Sequence, residues 1–200
     1  MHPLALLGSI SGLAFLSGIR LYSTVLVVGL GIRLGYLHLP DRLSSLNVLA
    51  TTPVLIIAGT AYAAEFVADK VPWFDSLWDT VHTVIRPLGA AVLVATALGD
   101  VDPVVKVGAI LLSGAIALTS HSAKAGTRLL ANHSPEPFSN IGLSVGEDAL
   151  VVGGVWTAIR HPILTLVLVI LLLAIIVWTL PKLIRLFRRQ FARLKEAIRS

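Results

Sequence analysis

Cysteine is absent from the 200 residues, which excludes disulfides and thiolate metal sites without identifying a compartment. Charged side chains are scarce too, at 14% against the roughly 25% of ordinary soluble domains. Hydrophobic residues make up 56%, more than the interior of a soluble domain of this length can hide. A soluble globular fold is therefore excluded, and the bilayer is the expected solvent. Negative charge is almost missing from the end of the chain. Lys182, Arg185, Arg188, Arg189, Arg193, Lys195 and Arg199 face Glu196 alone, whereas ten acids balance nine Lys and Arg before them. That asymmetry argues against a nucleic-acid-binding body. It points instead to a basic amphipathic cytoplasmic tail, 181–200, lying on anionic lipid headgroups through Lys182, Arg185, Arg188, Arg189 and Arg193. The start lacks the positive n-region of a signal peptide, and apolar sequence resumes directly after Arg20, so a retained first membrane helix is expected.

Apolar stretches run over 3–35, 52–68, 78–98, 104–131, 139–159 and 162–180, each able to reach the roughly 17–25 residues of a spanning helix. Breaks bearing proline, glycine or aspartate separate them: LHLPDRLSS, DKVPWFDS, GDVDP, NHSPEPFSN and RHP. The expected fold is all-α, a polytopic bundle of about six membrane segments forming one domain, 1–180.

SGLAFLSGIRLYSTVL, from Ser11, aligns without gaps on SGAIALTSHSAKAGTRLL, from Ser113, and TVHTVIRPLGAAVLV resembles GGVWTAIRHPILTLVLV. Two repeat halves follow, about 3–100 and 104–180, although helices rich in Gly, Ala and Leu also resemble one another by chance. In both copies the first helix is interrupted, at Gly18-Ile19-Arg20 and at Thr119–Lys124. If these segments span, each half has three crossings and the second half is inverted, as in many secondary transporters. If they are re-entrant, each half has two crossings and the copies are parallel. Six spans with both termini cytoplasmic are expected, which fits the basic tail.

AEFVADKVPWFDSLWDTVHTVIRP, 64–87, places seven ionisable groups in the middle of this apolar chain. Glu65 and Asp69 share one helical face, and Val71-Pro72 then breaks the helix. Asp75, Asp79, His82 and Arg86 follow at offsets that make one stripe of the next helix. The stripe either lines a polar path or meets headgroups at the interface. Arg86, deeper in an apolar run, should have a partner, since unpaired charge in hydrocarbon costs about 2.5–3.5 kcal/mol or more. Glu147 and Asp148 form a second acidic site, on a helix whose Gly142, Gly146, Gly153 and Gly154 are expected to allow close packing. Their bland reading is an ion pair to Arg86, Arg128 or Arg160. Lys124 and Arg128 present two positive charges on one face, suited to an anionic group or to neutralising the acids. Acids (Glu65, Asp69, Asp79, Glu147, Asp148) roughly balance bases (Arg20, Lys70, Arg86, Lys124, Arg128) at membrane depth.

No nucleophile elbow, HExxH, P-loop or dinucleotide fingerprint is read, so neither an enzyme nor a cofactor is expected. Ser120, His121 and an acid make a triad only on paper. Asp75, Asp79 and His82 are a weak metal signal, which leaves metal binding open.

AEFVADKVPWFDSLWDTVHTVIRPLGAA, KAGTRLLANHSPEPFSNIGLSVGEDALVV and GIRLYSTVLVVGL together resemble the DUF4126 family of small bacterial membrane proteins, over nearly the whole chain up to about Leu180. The resemblance implies a polytopic helical membrane protein, expected in a bacterial inner membrane, and carries no activity. From the charges, the leading expectation is a secondary transporter or channel for an ion or small polar solute, possible coupling ions including the proton. Glu65, Asp69, Asp79, His82, Glu147 and Asp148 would bind proton or cation. Arg20, Arg86, Lys124 and Arg128 would hold an anionic group or act as counter-charges. A flippase or scramblase for a phosphorylated lipid is the alternative, distinguished by a lateral opening. The third reading is a scaffold whose charges are all structural pairs. Self-association is left open.

Overall fold

The computed structural model describes residues 2–70, 72–131 and 137–199, with side chains except at 72–73, 75–76, 129–131, 137–140, 183 and 186–199. Six α-helices occupy the six apolar stretches: α1 (Pro3–Arg33), α2 (Thr52–Ala68), α3 (Pro72–Leu98), α4 (Pro103–Ala131), α5 (Pro137–Arg160) and α6 (Pro162–Arg199). No strand occurs among the described residues. Helices within Pro3–Arg33, Leu77–Leu98, Pro103–Arg128 and Pro162–Lys182 are long and apolar enough to cross a membrane. The segment Asp41–Ala50 and α2, bent by 71° at Thr51, make a fifth if they act as one broken span. The chain is a multi-pass helical membrane protein. Most of NHSPEPFSN, residues 132–136, lies outside the described residues.

Helix starts are legible. Proline opens α1, α3, α4, α5 and α6, where its missing N–H costs no hydrogen bond. Asp102 caps α4 by accepting from Val104 N at 2.9 Å and Val105 N at 3.2 Å. Gly99, at φ 55°, turns the chain out of α3 in a conformation few side chains tolerate. LHLPDRLSS is more than a break. Asp41–Ala50 forms a 3-10 helix that buries Leu43, Leu46 and Leu49 against the bundle.

Helix α1 is the axis, and the other five helices all pack on it. Gly8 and Gly12, four apart, let α6 approach closely. A Cβ on Gly8 would collide with the Pro162 carbonyl, and one on Gly12 would come within 2.5 Å of Thr165 Cγ2. Gly8→Ala is expected to cost about 1–3 kcal/mol through overpacking, read as a lower melting midpoint in detergent. An unchanged midpoint would mean that α1 and α6 do not meet there. Leu13, Ala14, Leu16, Val94, Val151 and Val155 fill the apolar core around α1.

Two expectations about the interrupted helices divide. In α1, Arg20 leaves the helical region at φ −147°, ψ 91° while the helix resumes on either side. In α4 the Thr119–Lys124 interruption is not found, and the helix runs through it. The reason is local: Thr119 and Ser122 hydroxyls donate back to the carbonyls of Ala115 and Leu118, both at 2.8 Å, so the polar run is satisfied within a helix. The α1 segment turns back at this kink as a re-entrant hairpin. Gly12 and Leu16 before it pack on Ala158 and Gly154 of α5, and Val27, Gly31 and Leu34 after it line one cavity with Val152, Val155 and Trp156 of the same helix. Helix α4 runs on without turning.

Candidate functional site

The break at Arg20 exposes backbone that needs partners at membrane depth, and side chains supply them. Thr24 Oγ1 donates to the Arg20 carbonyl at 2.7 Å, and Ser120 Oγ of α4 donates to the Phe15 carbonyl at 2.9 Å. Arg86 of α3 reaches the Gly18 carbonyl at 3.4 Å. Gly18 lies against Ala117 and Ser120, where a Cβ would strike the Ala117 carbonyl. The kink therefore rests on α3 and α4 and turns Arg20 inward, fully buried.

Around that kink the chain gathers its charges. Arg20 pairs with Asp69, with Glu147 at 3.0 Å and with Asp148 at 3.4 Å, and also donates to Ser144 Oγ at 2.5 Å. Ser144 in turn donates to Asp69 at 3.1 Å. Arg128 holds Glu147 at 2.9 Å and Asp69 at 3.3 Å. Lys124 bridges Glu147 at 3.2 Å and Glu65 at 3.6 Å. Arg86 completes the network, with Glu65 at 2.6 Å and Asp79 at 3.3 Å. Nearly every ion has more than one partner, and five helices contribute.

Burial is severe. Arg20, Glu65 and Arg86 are 0% exposed, and Asp69 and Arg128 are 1%. Helix α3 is turned inside out relative to a soluble helix: Asp79, His82 and Arg86 are buried while Leu77, Val81 and Val84 are exposed. The polar stripe thus faces the bundle rather than headgroups. The Asp75 side chain lies outside the described ones.

Two histidines extend the network. Arg86 has no acceptor, so the 2.6 Å contact makes His121 Nδ1 the acceptor and leaves its hydrogen on Nε2, facing the Asp79 carbonyl at 3.1 Å. His82 lies 2.8 Å from the Trp78 carbonyl through Nδ1, which must donate, and its Nε2 is hydrogen-bonded with Tyr22 Oη at 3.1 Å. His82 also stacks on Trp78, ring centroids 4.5 Å apart. Both rings are engaged in hydrogen bonds, and the described residues contain no cluster of three His, Asp or Glu able to hold a metal.

The remaining predicted positions fall into place with three corrections. Lys70 does not join the cluster as a counter-charge: its ammonium lies 3.9 Å from the Phe66 ring centroid. Five carboxylates therefore face four cations among the described members of the network. Arg160 is exposed at the end of α5, so the partners of Glu147 are Arg20, Lys124 and Arg128. Helix α5 also does not pack closely through its whole glycine surface. A Cβ on Gly154 would meet Leu16 Cδ2 at 2.7 Å, but positions beside Gly142, Gly146 and Gly153 are open. The tail cations continue α6 in helical form; Lys182 stacks on Trp178 at 2.9 Å, and the Arg188, Arg189 and Arg193 side chains lie outside the described ones.

Sequence reasoning missed Ser144, Tyr22, Tyr62 and Ser23. Tyr62 Oη donates to Asp148 at 2.9 Å and Ser23 Oγ at 3.4 Å. Ser144 was within reach of a pattern argument, since it shares a helix face with Glu147 and Asp148. It also sits at the centre of Gly142-Leu143-Ser144-Val145-Gly146, the spacing of a nucleophile elbow. That motif requires a strand-to-helix turn, whereas Ser144 lies inside α5 bound to Arg20 and Asp69. The Ser120–His121 triad does not form either, because Ser120 donates to the Phe15 and Ala117 carbonyls.

On one side the network meets a cavity of about 340 Å³ between α1, α4, α5 and α6, with Lys124 and Glu147 in its lining. Its remaining wall is mostly apolar, and Gly142, Gly146 and Leu150 in it are exposed on the outer face of the bundle. The cavity opens at the bundle surface beside these residues of α5. A family model described as Domain of unknown function (DUF4126) matches residues 7–182. No curated protein and no solved structure matches the chain.

Proposed function

The chain belongs to the DUF4126 family, whose description assigns no activity, and from its buried charges we propose a secondary transporter for an ion or small polar solute, coupled to protonation of a carboxylate. The sharing of ion-pair partners carries this reading. Glu147 is held by three cations, Asp69 by two and Glu65 by two, so pairs can exchange without any charge losing all its partners. A static pair needs no such redundancy, and buried pairs alone are poor stabilisers. The excess of carboxylates over cations supports uptake of one positive charge. Helix pairing supports two related halves: α1 packs on α6 as α4 packs on α3, and α1 on α3 as α4 on α6. The α1–α5 contact has no α4–α2 counterpart of similar extent, so any relation between the halves is imperfect.

Proton flux in proteoliposomes with a trapped pH dye tests the proposal. Wild type is expected to move protons under an imposed gradient with one member of a solute panel, and Asp69→Asn and Glu147→Gln to lose that flux while still folded. Flux from no solute, with mutants that only melt earlier, would leave the charges as structural pairs and the chain as a scaffold.

The cavity opening at Lys124 and Glu147 favours a second reading, translocation of a phosphorylated lipid. Dithionite quenching of a fluorescent phospholipid separates the two: about half the label is protected in passive vesicles, and full quenching accompanies lipid movement.

A further inference from the structure

The cavity beside Lys124 does not end with its own walls. A second cavity of about 320 Å³, between α1, α5 and α6, shares Phe15 and Leu150 with it and reaches Thr157 and Thr165. Together they follow α5 from Gly142 to Thr157, about 22 Å at the rise of an α-helix. The path exceeds one leaflet, since the hydrocarbon core is about 30 Å thick. Its width comes from glycine: Gly142, Gly146 and Gly153 leave open space where side chains would stand.

Between Gly142 and Leu150 this apolar groove carries polar chemistry. Lys124 is 6% exposed, and its ammonium donates no hydrogen bond despite its two ion pairs. Glu147, in the same cavity wall, lies 3.2 Å from it. A cation and a carboxylate side by side on one wall fit a group that carries both charges. A lone anion would satisfy Lys124 but add negative charge to a network already richer in carboxylates. An apolar helix of a second copy would fill the groove and leave the ammonium unmet.

We propose that the groove between α4, α5 and α6 is a binding site for a zwitterionic phospholipid, one acyl chain running from Gly146 past Leu150 to Gly153, phosphate on Lys124 and amine on Glu147. The lipid enters sideways from the bilayer and inserts its head between two residues that are otherwise ion-paired with each other. The site stands on its own observations, apart from what the protein transports.

Native mass spectrometry of the purified full chain in detergent, titrated with phosphatidylethanolamine, phosphatidic acid or diacylglycerol, tests it. One phosphatidylethanolamine is expected to bind, at least about tenfold more tightly than either competitor, a free-energy difference of about 1.4 kcal/mol. Gly146→Leu fills open space, so its melting midpoint should hold while affinity drops about tenfold or more. Lys124→Gln should erase the preference over diacylglycerol. If that variant does not fold, Gly146→Leu still decides. Equal retention of all three lipids, or wild-type binding by Gly146→Leu, would overturn the proposal. So would conversion of a dimer to a monomer by Gly146→Leu, since the groove would then seat a second copy. Binding is read apart from movement: lipid binding without dithionite-accessible flipping, or without proton flux, counts against those transport readings alone.

Discussion

Arg20→Gln is expected to be the most damaging single substitution that leaves the apolar core intact. Its guanidinium faces Asp69, Glu147 and Asp148 from a fully buried position, and glutamine returns no charge to any of them. Breaking a buried pair by removing one partner costs about 3–5 kcal/mol, because the other charge is left uncompensated. Asp69 retains Arg128, and Glu147 retains Lys124 and Arg128, so the loss falls in that range rather than beyond it. The measurement is the denaturation midpoint in mixed detergent micelles, for Arg20→Gln, Asp69→Asn and the double variant. Removing both partners eliminates the mismatch each leaves, so the double variant should cost less than the sum, by about 0.5–3 kcal/mol. Strict additivity would show that Arg20 and Asp69 do not act as a pair.

Neighbouring carboxylates should then behave unequally. Glu147→Gln is expected to cost about 3–5 kcal/mol, since Arg20, Lys124 and Arg128 converge on it and all three are buried. Asp148→Asn should cost about 1 kcal/mol or less. Its side chain is 22% exposed, and its nearest cation, Arg20, lies at 3.4 Å. The amide oxygen of asparagine can still accept from Tyr62, which now donates at 2.9 Å. Side-by-side melting curves of the two variants check this, and equal losses would refute the assignment of Glu147 as the hub. Glu147→Gln/Lys124→Gln should recover part of the loss by removing one charge of each sign.

Much of this architecture was legible along the chain. The six apolar stretches became six helices because a backbone in lipid must satisfy its hydrogen bonds within each segment. The stripe on α3 followed from the spacing of Asp79, His82 and Arg86, though not the side it faces, and the rule that an intramembrane charge needs partners pointed Arg86 toward the acids. Local chemistry misled at Thr119–Lys124, where a polar run looked like an interruption. Hydroxyls that bond back to their own helix carry no signature in composition. The glycines of α5 misled in the opposite direction. Small residues permit a close neighbour without requiring one, and only Gly154 has it.

Sequence alone determined that this chain lives in a membrane as a helical bundle and that Arg86 needs a partner there, while it left Arg20, Lys124 and Arg128 between an anionic group and the acids. These conclusions follow from burial costs that hold for any arrangement of the helices. The tertiary structure decided which charges share partners and left Lys70 over Phe66 instead of in the network. It also left the surface beside Gly142, Gly146 and Gly153 open to one side. Those outcomes depend on helix rotation and on gaps of a few ångströms between distant segments, set by the packing of α1 against all its neighbours at once.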